Sequence, residues 1–173
     1  MPARRFFARA LPLLTLLLLL IRPQAALAQT PIIDGVVSVG SGLEGADTGN
    51  GWLQWQRARV RVSIGFDYGN SERPWEAWGV RGLADLEKSP LVGTELRYTR
   101  WLGGVFGAYG AGVAMLTPES LAGLGAGGIL QIPLGPVGLL LDGSFTALPA
   151  GSDRVDNGMV FWALLNLGIR VRL

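Results

Sequence analysis

The chain of 173 residues contains no cysteine and no histidine. Without cysteine there are no disulfides, no thiolate metal sites, no thiol nucleophile and no lipidated cysteine of the lipoprotein kind. Without histidine, the histidine-dependent hydrolases and most zinc sites are excluded together. Charge is scarce and nearly balanced, with 15 lysines and arginines against 13 aspartates and glutamates. Four of the basic residues, Arg4, Arg5, Arg9 and Arg22, fall within the first 28 positions.

Those first positions have the make-up of an export signal. Arg4, Arg5 and Arg9 form a basic start, Leu11 to Ile21 is an almost unbroken apolar core, and Ala26-Leu27-Ala28 supplies the small residues of a cleavage site. The core is shorter than the roughly 20 residues that cross a bilayer as a helix, which favours cleavage after Ala28 over a retained anchor. The chain is therefore expected to divide into a signal peptide, 1–28, and a mature domain, 29–173. Loss of four arginines of the 15 basic residues leaves eleven against 13 acidic ones, a net charge of −2. Nucleic-acid binding has no electrostatic support from that balance. About 145 mature residues suffice for one domain, or for eight strands of roughly ten residues plus turns.

What the mature chain does have is alternation. From Arg57 to Tyr68, Ala58, Val60, Val62, Ile64, Phe66 and Tyr68 interleave with Arg57, Arg59, Arg61, Ser63, Gly65 and Asp67. An extended strand sends alternate side chains to opposite faces, so all the charges share one face and the apolar residues the other. Seven further segments follow the same logic. Segment one is Ile32–Gly40, followed by a polar, Gly-rich loop Ser41–Gly51; segment two runs back from Tyr68 to about Trp52 and ends in a turn, Gly69–Pro74. Segment three, Trp75–Glu87, sets Trp78, Val80, Ala84 and Leu86 against Arg81, Asp85 and Glu87, and segment four, Leu91–Trp101, sets Val92, Leu96 and Tyr98 against Glu95, Arg97 and Thr99. Segments five (Val105–Leu116) and six (Leu121–Leu134) are glycine-rich and nearly uncharged. Segment seven, Val137–Leu148, opposes Leu139, Leu141 and Phe145 to Asp142, Ser144 and Thr146, and a polar loop Pro149–Asn157 follows. Segment eight, Gly158–Leu173, carries Met159, Phe161, Leu165, Leu167, Ile169, Val171 and Leu173 opposite Asn166, Arg170 and Arg172.

An even count of amphipathic strands is what an up-and-down antiparallel barrel needs, and closure removes the edges that lipid cannot tolerate. The fold class expected is all-β: a closed, eight-stranded transmembrane β-barrel with apolar residues toward lipid and charges inside. With both ends in the periplasm, the links after segments two, four and six are periplasmic, and the two longest polar loops are extracellular. The outward run from Ala58 to Tyr68 matches the roughly 9–11 residues that cross a bilayer, with Trp52, Gln54 and Gln56 above it. Tyr68, Trp75, Trp78, Tyr98 and Trp101 are expected in the aromatic girdles.

A charge at mid-bilayer costs about 2–4 kcal/mol, so the arginines must point inward, where each needs a partner. Hairpin register places Arg57 and Arg59 near Glu87 and Asp85, Arg97 opposite Arg81 with Glu95 one diagonal away, and Arg170 near Asp34. The expected lumen network is Asp34, Arg57, Arg59, Arg61, Asp67, Arg81, Asp85, Glu87, Glu95, Arg97, Asp142 and Arg170. Gly123, Gly125 and Gly127, if inward, leave room for the long arginines opposite.

The last residues, Asn166 to Leu173, resemble the terminal strand of bacterial outer-membrane barrel proteins, which alternates apolar residues, ends on one and is read by the assembly machinery. Here the alternating positions are Ile169, Val171 and Leu173; the family usually ends on an aromatic and this chain on leucine. Size and strand count look like the small OmpX and OmpA-barrel class over roughly Ile32 to Leu173. The resemblance implies residence in the bacterial outer membrane, with membrane lipid and the assembly machinery as partners and a monomeric state. It brings no functional motif.

The leading reading is a non-enzymatic barrel with a structural or surface-interaction role and a side-chain-filled, charged lumen. A narrow channel or carrier for a small solute is the first alternative, since inward arginines also attract anions. A soluble ligand-binding barrel is the second, and requires the reverse orientation. A lipid-modifying enzyme is argued against by the missing histidine, and Glu95 with Asp142 forms a carboxylate pair without any accompanying motif. No catalytic residue, cofactor or metal is expected; Glu44, Asp47 and Asn50 match no calcium-loop spacing. A helical span over Leu121–Leu141 is uncharged and long enough, but its six glycines and two prolines oppose it.

Overall fold

The computed structural model describes residues 30–47, 53–57, 60–86, 90–117, 120–150 and 159–173. Nine strands make up nearly all of these: β1 (Pro31–Asp47), β2 (Leu53–Arg57), β3 (Val60–Asn70), β4 (Arg73–Leu86), β5 (Leu91–Leu102), β6 (Phe106–Thr117), β7 (Leu121–Leu134), β8 (Val137–Ala150) and β9 (Val160–Arg172). Each pairs antiparallel with the next around the ring, and β9 returns to β1. β2 and β3 pair with successive stretches of β1, so together they are one stave, and the closed barrel has eight. Stepping from Ile33 to Tyr68 and onward across each pairing returns to β1 at Leu43, ten residues further along. That offset is the shear of a closed barrel, whose strands tilt by about 35–45°.

Three links at one end are tight: Ser71–Glu72, Gly103–Val105 and Gly135–Pro136. Asn70 Oδ1 accepts from the Glu72 N–H at 3.0 Å, an asparagine closing its own turn. Gly135 sits at φ 71°, the left-handed conformation that a two-residue hairpin with glycine first demands. Thr30 and Leu173 lie at this same end: the Ser71 N–H donates to Thr30 O, and the Leu173 N–H to Ile33 O. Chain termini and short turns thus share one rim, the turn end, and the remaining links define the loop end.

Alternation does what the sequence demands. Ile64, Phe66, Val80, Leu96, Leu124, Leu141, Leu165 and Leu167 lie exposed on the outer wall, while Arg61, Asp67, Arg81, Asp85, Glu95, Arg97 and Asp142 are buried inside. The described residues hold no helix, and Leu121–Leu141 is strand, turn and strand, so the helical alternative is overturned.

Several boundaries and positions differ from expectation. Segment one does not stop at Gly40. β1 continues to Asp47 because β9 lies beside it as far as Ala46 opposite Val160, so much of the expected Ser41–Gly51 loop is strand. The unbroken alternation from Arg57 fails as well. Gly40 opposes Arg61 and Leu43 opposes Arg57, so three steps along β1 are matched by four on the other stave. The register of β2 on β1 therefore differs by one residue from that of β3, and the outward positions of the two strands have opposite parity. Trp55, rather than the expected Gln54, shares the outward parity of Leu43. Trp101 is no girdle residue. It has the same parity on β5 as Glu95 and Arg97 and is buried in the lumen.

Candidate functional site

The lumen holds nearly all the chemistry of the described chain, arranged in three levels from the loop end to the turn end. At the loop end, β3 and β4 bring Arg61 opposite Asp85. Arg61 Nε donates to Asp85 Oδ1 at 2.6 Å and Nη2 to Oδ2 at 2.9 Å, a two-pronged fork with both side chains buried. The guanidinium lies 4.3 Å over the Trp162 ring of β9, and Trp162 Nε1 donates to Glu44 Oε2 of β1 at 2.9 Å. Leu83, Leu91, Val113, Met115, Leu121, Leu148, Val160 and Leu164 fill the rest of this level, one apolar cluster around Trp162.

At mid-height Arg97 reaches across the barrel. Its Nε donates to Glu95 Oε1 and its Nη1 to Asp142 Oδ2, both at 2.7 Å. Tyr109 Oη donates to the other Asp142 oxygen at 2.7 Å, and its ring lies 3.6 Å beneath the Arg97 guanidinium. Beside this group Arg81 Nη2 donates to both oxygens of Asp67, at 3.1 and 3.2 Å, and Arg81 Nε has no partner among the described residues. Ser38 and Ser63 share a hydroxyl hydrogen bond of 2.7 Å. At the turn end Arg170 bonds Asp34 and donates to Gln131 Oε1 at 2.8 Å, with its guanidinium 5.0 Å from the Trp101 ring. Arg172 Nε also donates to Asp34, at 3.3 Å.

Of the twelve residues expected in the network, Asp34, Arg61, Asp67, Arg81, Asp85, Glu95, Arg97, Asp142 and Arg170 occupy the lumen in these contacts. Arg59 and Glu87 lie outside the described residues, as does the side chain of Arg57; the signal segment 1–28 and the link 151–158 also lie outside. Arg170 meets Asp34 as the register of β9 on β1 implies, but the expected pairings on β3, β4 and β5 need correcting. Asp85 meets Arg61 rather than Arg59, because Gly69 pairs with Ala77 and Asn70 with Arg73. Three extra residues, Pro74 to Glu76, are accommodated there, beginning with a proline that has no N–H for the ladder. Glu95, not Arg97, stands directly opposite Arg81; yet Glu95 bonds Arg97 two residues along its own strand, and Arg81 turns to Asp67.

Gly123, Gly125 and Gly127 of β7 face inward, but the arginines do not take their space. A Cβ on Gly127 would come 2.5 Å from Tyr109 Oη, so the tyrosine fills the gap and Arg97 stacks on it. Sequence reasoning also missed the apolar loop-end level, the three aromatic rings beneath Arg61, Arg97 and Arg170, and Gln131. Parity was the available signal: Trp101, Tyr109 and Trp162 share faces with Arg97, Met115 and Asn166 respectively. Glu44, read as a loop residue, is buried on β1. Ile169, Val171 and Leu173 line the outer face of β9 and the chain end.

A closed eight-stranded cylinder, apolar outside and ion-paired inside, has the fold of the small outer-membrane β-barrels. One solved structure shares this fold. Neisserial surface protein A aligns with a TM-score of 0.52 at 12% identity, over 82% of this chain and 97% of that one. A de novo designed transmembrane β-barrel aligns at 0.48 and 13% identity, over 82% and 95%. Ail, the attachment invasion locus protein of Yersinia pestis, aligns at 0.45 and 16%, over 81% and 98%. No protein-family model and no curated protein matches the chain.

Proposed function

We propose that the protein is a non-enzymatic barrel of the bacterial outer membrane, acting as a monomer in a structural or surface-interaction role, with a lumen that passes no solute. Its export by a cleaved signal and its insertion by machinery that reads Ile169, Val171 and Leu173 belong to the same reading. The observation that carries it is the way the interior is filled. Arg97 on β5 joins Asp142 on β8 across the cylinder, and the cluster around Met115, Leu148 and Trp162 occupies the loop end above it. Dispersion and ion pairing leave each level occupied by side chains, as an eight-stranded interior is just wide enough to allow.

The experiment is reconstitution of the mature chain in planar bilayers, with gel mobility compared before and after heating. A folded, heat-shifted species with conductance equal to bare bilayer is expected. Discrete conductance steps would instead establish the narrow channel, and a chain that stays in solution without detergent would establish a soluble barrel.

A further inference from the structure

The outer wall is apolar almost throughout, so its exceptions are informative. From Glu76 on β4 round to Leu173, outward-facing positions among the described residues carry two charges, Glu76 and Arg100, and these oppose each other across the β4–β5 pair. Glu76 is engaged by its neighbour in sequence, with Arg73 Nη1 3.9 Å from its Oε2. Arg100 is exposed and makes no ion pair or hydrogen bond with any described residue. With Glu76 engaged by Arg73, Arg100 is the charge of this patch left without a partner among the described residues.

Its surroundings are those of a membrane boundary. Two residues deeper on the same face, Tyr98 packs against Trp78 with ring centroids 4.9 Å apart. Across the β5–β6 pair the neighbours of Arg100 and Tyr98 are Ala108 and Gly110, and a Cβ on Gly110 would meet nothing within 4 Å. The wall is therefore low beside the guanidinium. Leu102 and Phe106, exposed and apolar, border the patch toward the turn Gly103–Val105. A lone arginine in the middle of a lipid-facing wall is strongly disfavoured, and one near its end is tolerated when it reaches headgroups.

We propose that Arg100, Arg73 and the Trp78–Tyr98 pair bind the phosphodiester headgroup of a phospholipid in the leaflet at the turn end of the barrel. The guanidinium directs two N–H groups at the non-bridging phosphate oxygens, the rings sit at headgroup level, and the trough over Ala108 and Gly110 takes the start of an acyl chain. A membrane lipid is the occupant rather than free phosphate, because the cation stands on an apolar wall bordered by Leu102 and Phe106. The inference rests on the membrane-embedded reading above.

The test is native mass spectrometry of the folded chain in detergent micelles titrated with phosphatidylglycerol, with gel mobility confirming the folded state of each variant. The wild type is expected to retain one lipid, Arg100→Gln to bind it about five-fold more weakly, and Arg100→Lys to fall between. Equal retention by Arg100→Gln overturns the site, and displacement by millimolar inorganic phosphate overturns the choice of a lipid. A wild type that gives no heat-shifted, detergent-dependent species overturns the membrane reading itself, and is told apart from the other outcomes by that gel.

Discussion

Methionine in place of Arg97 keeps a long side chain and removes its charge, which isolates what the central ion pair contributes. The side chains of Arg97, Glu95 and Asp142 are 5%, 10% and 7% exposed, so bulk water screens none of them appreciably. Arg97→Met leaves two buried carboxylates, with the Tyr109 hydroxyl as the remaining donor to Asp142. Breaking a buried pair from one side costs about 3–5 kcal/mol. The lost stacking on Tyr109 accounts for about 0.5–2 kcal/mol by itself, but it involves the same side chain and does not add in full. A loss of about 3–5 kcal/mol is expected in urea unfolding of the folded barrel, followed by tryptophan fluorescence. The converse change is equally informative. Arg97→Met with Glu95→Leu and Asp142→Leu, made in a Tyr109→Phe background so that no buried hydroxyl is left unpaired, removes all three charges and is expected within about 1 kcal/mol of that background, since apolar replacement of a buried ion cluster is often neutral. Arg97→Met within 1 kcal/mol of wild type would refute the reasoning: water would then be solvating both carboxylates, and the lumen would not be sealed.

Two further outcomes test the orientation and the packing. Leu167, 64% exposed on the outer wall, lies well inside β9, whereas Ile132 lies near the Gly135–Pro136 turn; Leu167→Arg should cost about 2–4 kcal/mol in vesicles and Ile132→Arg about 0–1. Equal costs would mean that this face does not meet lipid. Gly127→Ala places a Cβ 2.5 Å from both Tyr109 Oη and Gly143 O and should lose about 1–3 kcal/mol through overpacking. Gly110→Ala, in open space on the other face, should leave the urea midpoint unchanged; similar losses at both would remove the argument that Tyr109 requires Gly127.

Faces were legible wherever a charge marked them. On β4 and β5 the evenly spaced charges, Arg81 with Asp85 and Glu95 with Arg97, mark one parity of the strand, so their inward positions followed from alternation alone. Partners were not legible, because they depend on register, and register depends on how many residues a turn absorbs. Pro74 and the stretch after it shift β4 against β3, which sends Asp85 to Arg61. The one-residue offset between the registers of β2 and β3 is equally silent in the sequence, where the alternation runs unbroken. Glycine and polar residues made Ser41–Asp47 look like a loop, whereas the neighbouring β9 supplies the partner that draws it into the sheet. The apolar loop-end level was hidden by a rule that assigned greasy residues to the outside. Leu83, Val113 and Met115 nevertheless have inward parity.

The near-neutral energy expected for the triple apolar variant raises the question of what the buried charges are for. A slip of one residue exchanges the two faces of a strand. On β4 it would put Arg81 and Asp85 against lipid and Trp78 and Val80 inside, at about 2–4 kcal/mol for an arginine at mid-depth. On β7 the same slip exchanges Gly125 and Gly127 for Ala126 and Gly128 and moves no charge, its one polar marker being Gln131 near the turn end. The β7 register must therefore come from the Gly135–Pro136 turn and from the fit of Tyr109 over Gly127. The interior ions then act chiefly by penalising wrong registers, a role separable from stability. We predict that the triple variant, although as stable as its Tyr109→Phe background once folded, refolds from urea into several species of different gel mobility. A single heat-shifted band at the yield of that background would show that turns and packing alone select the register.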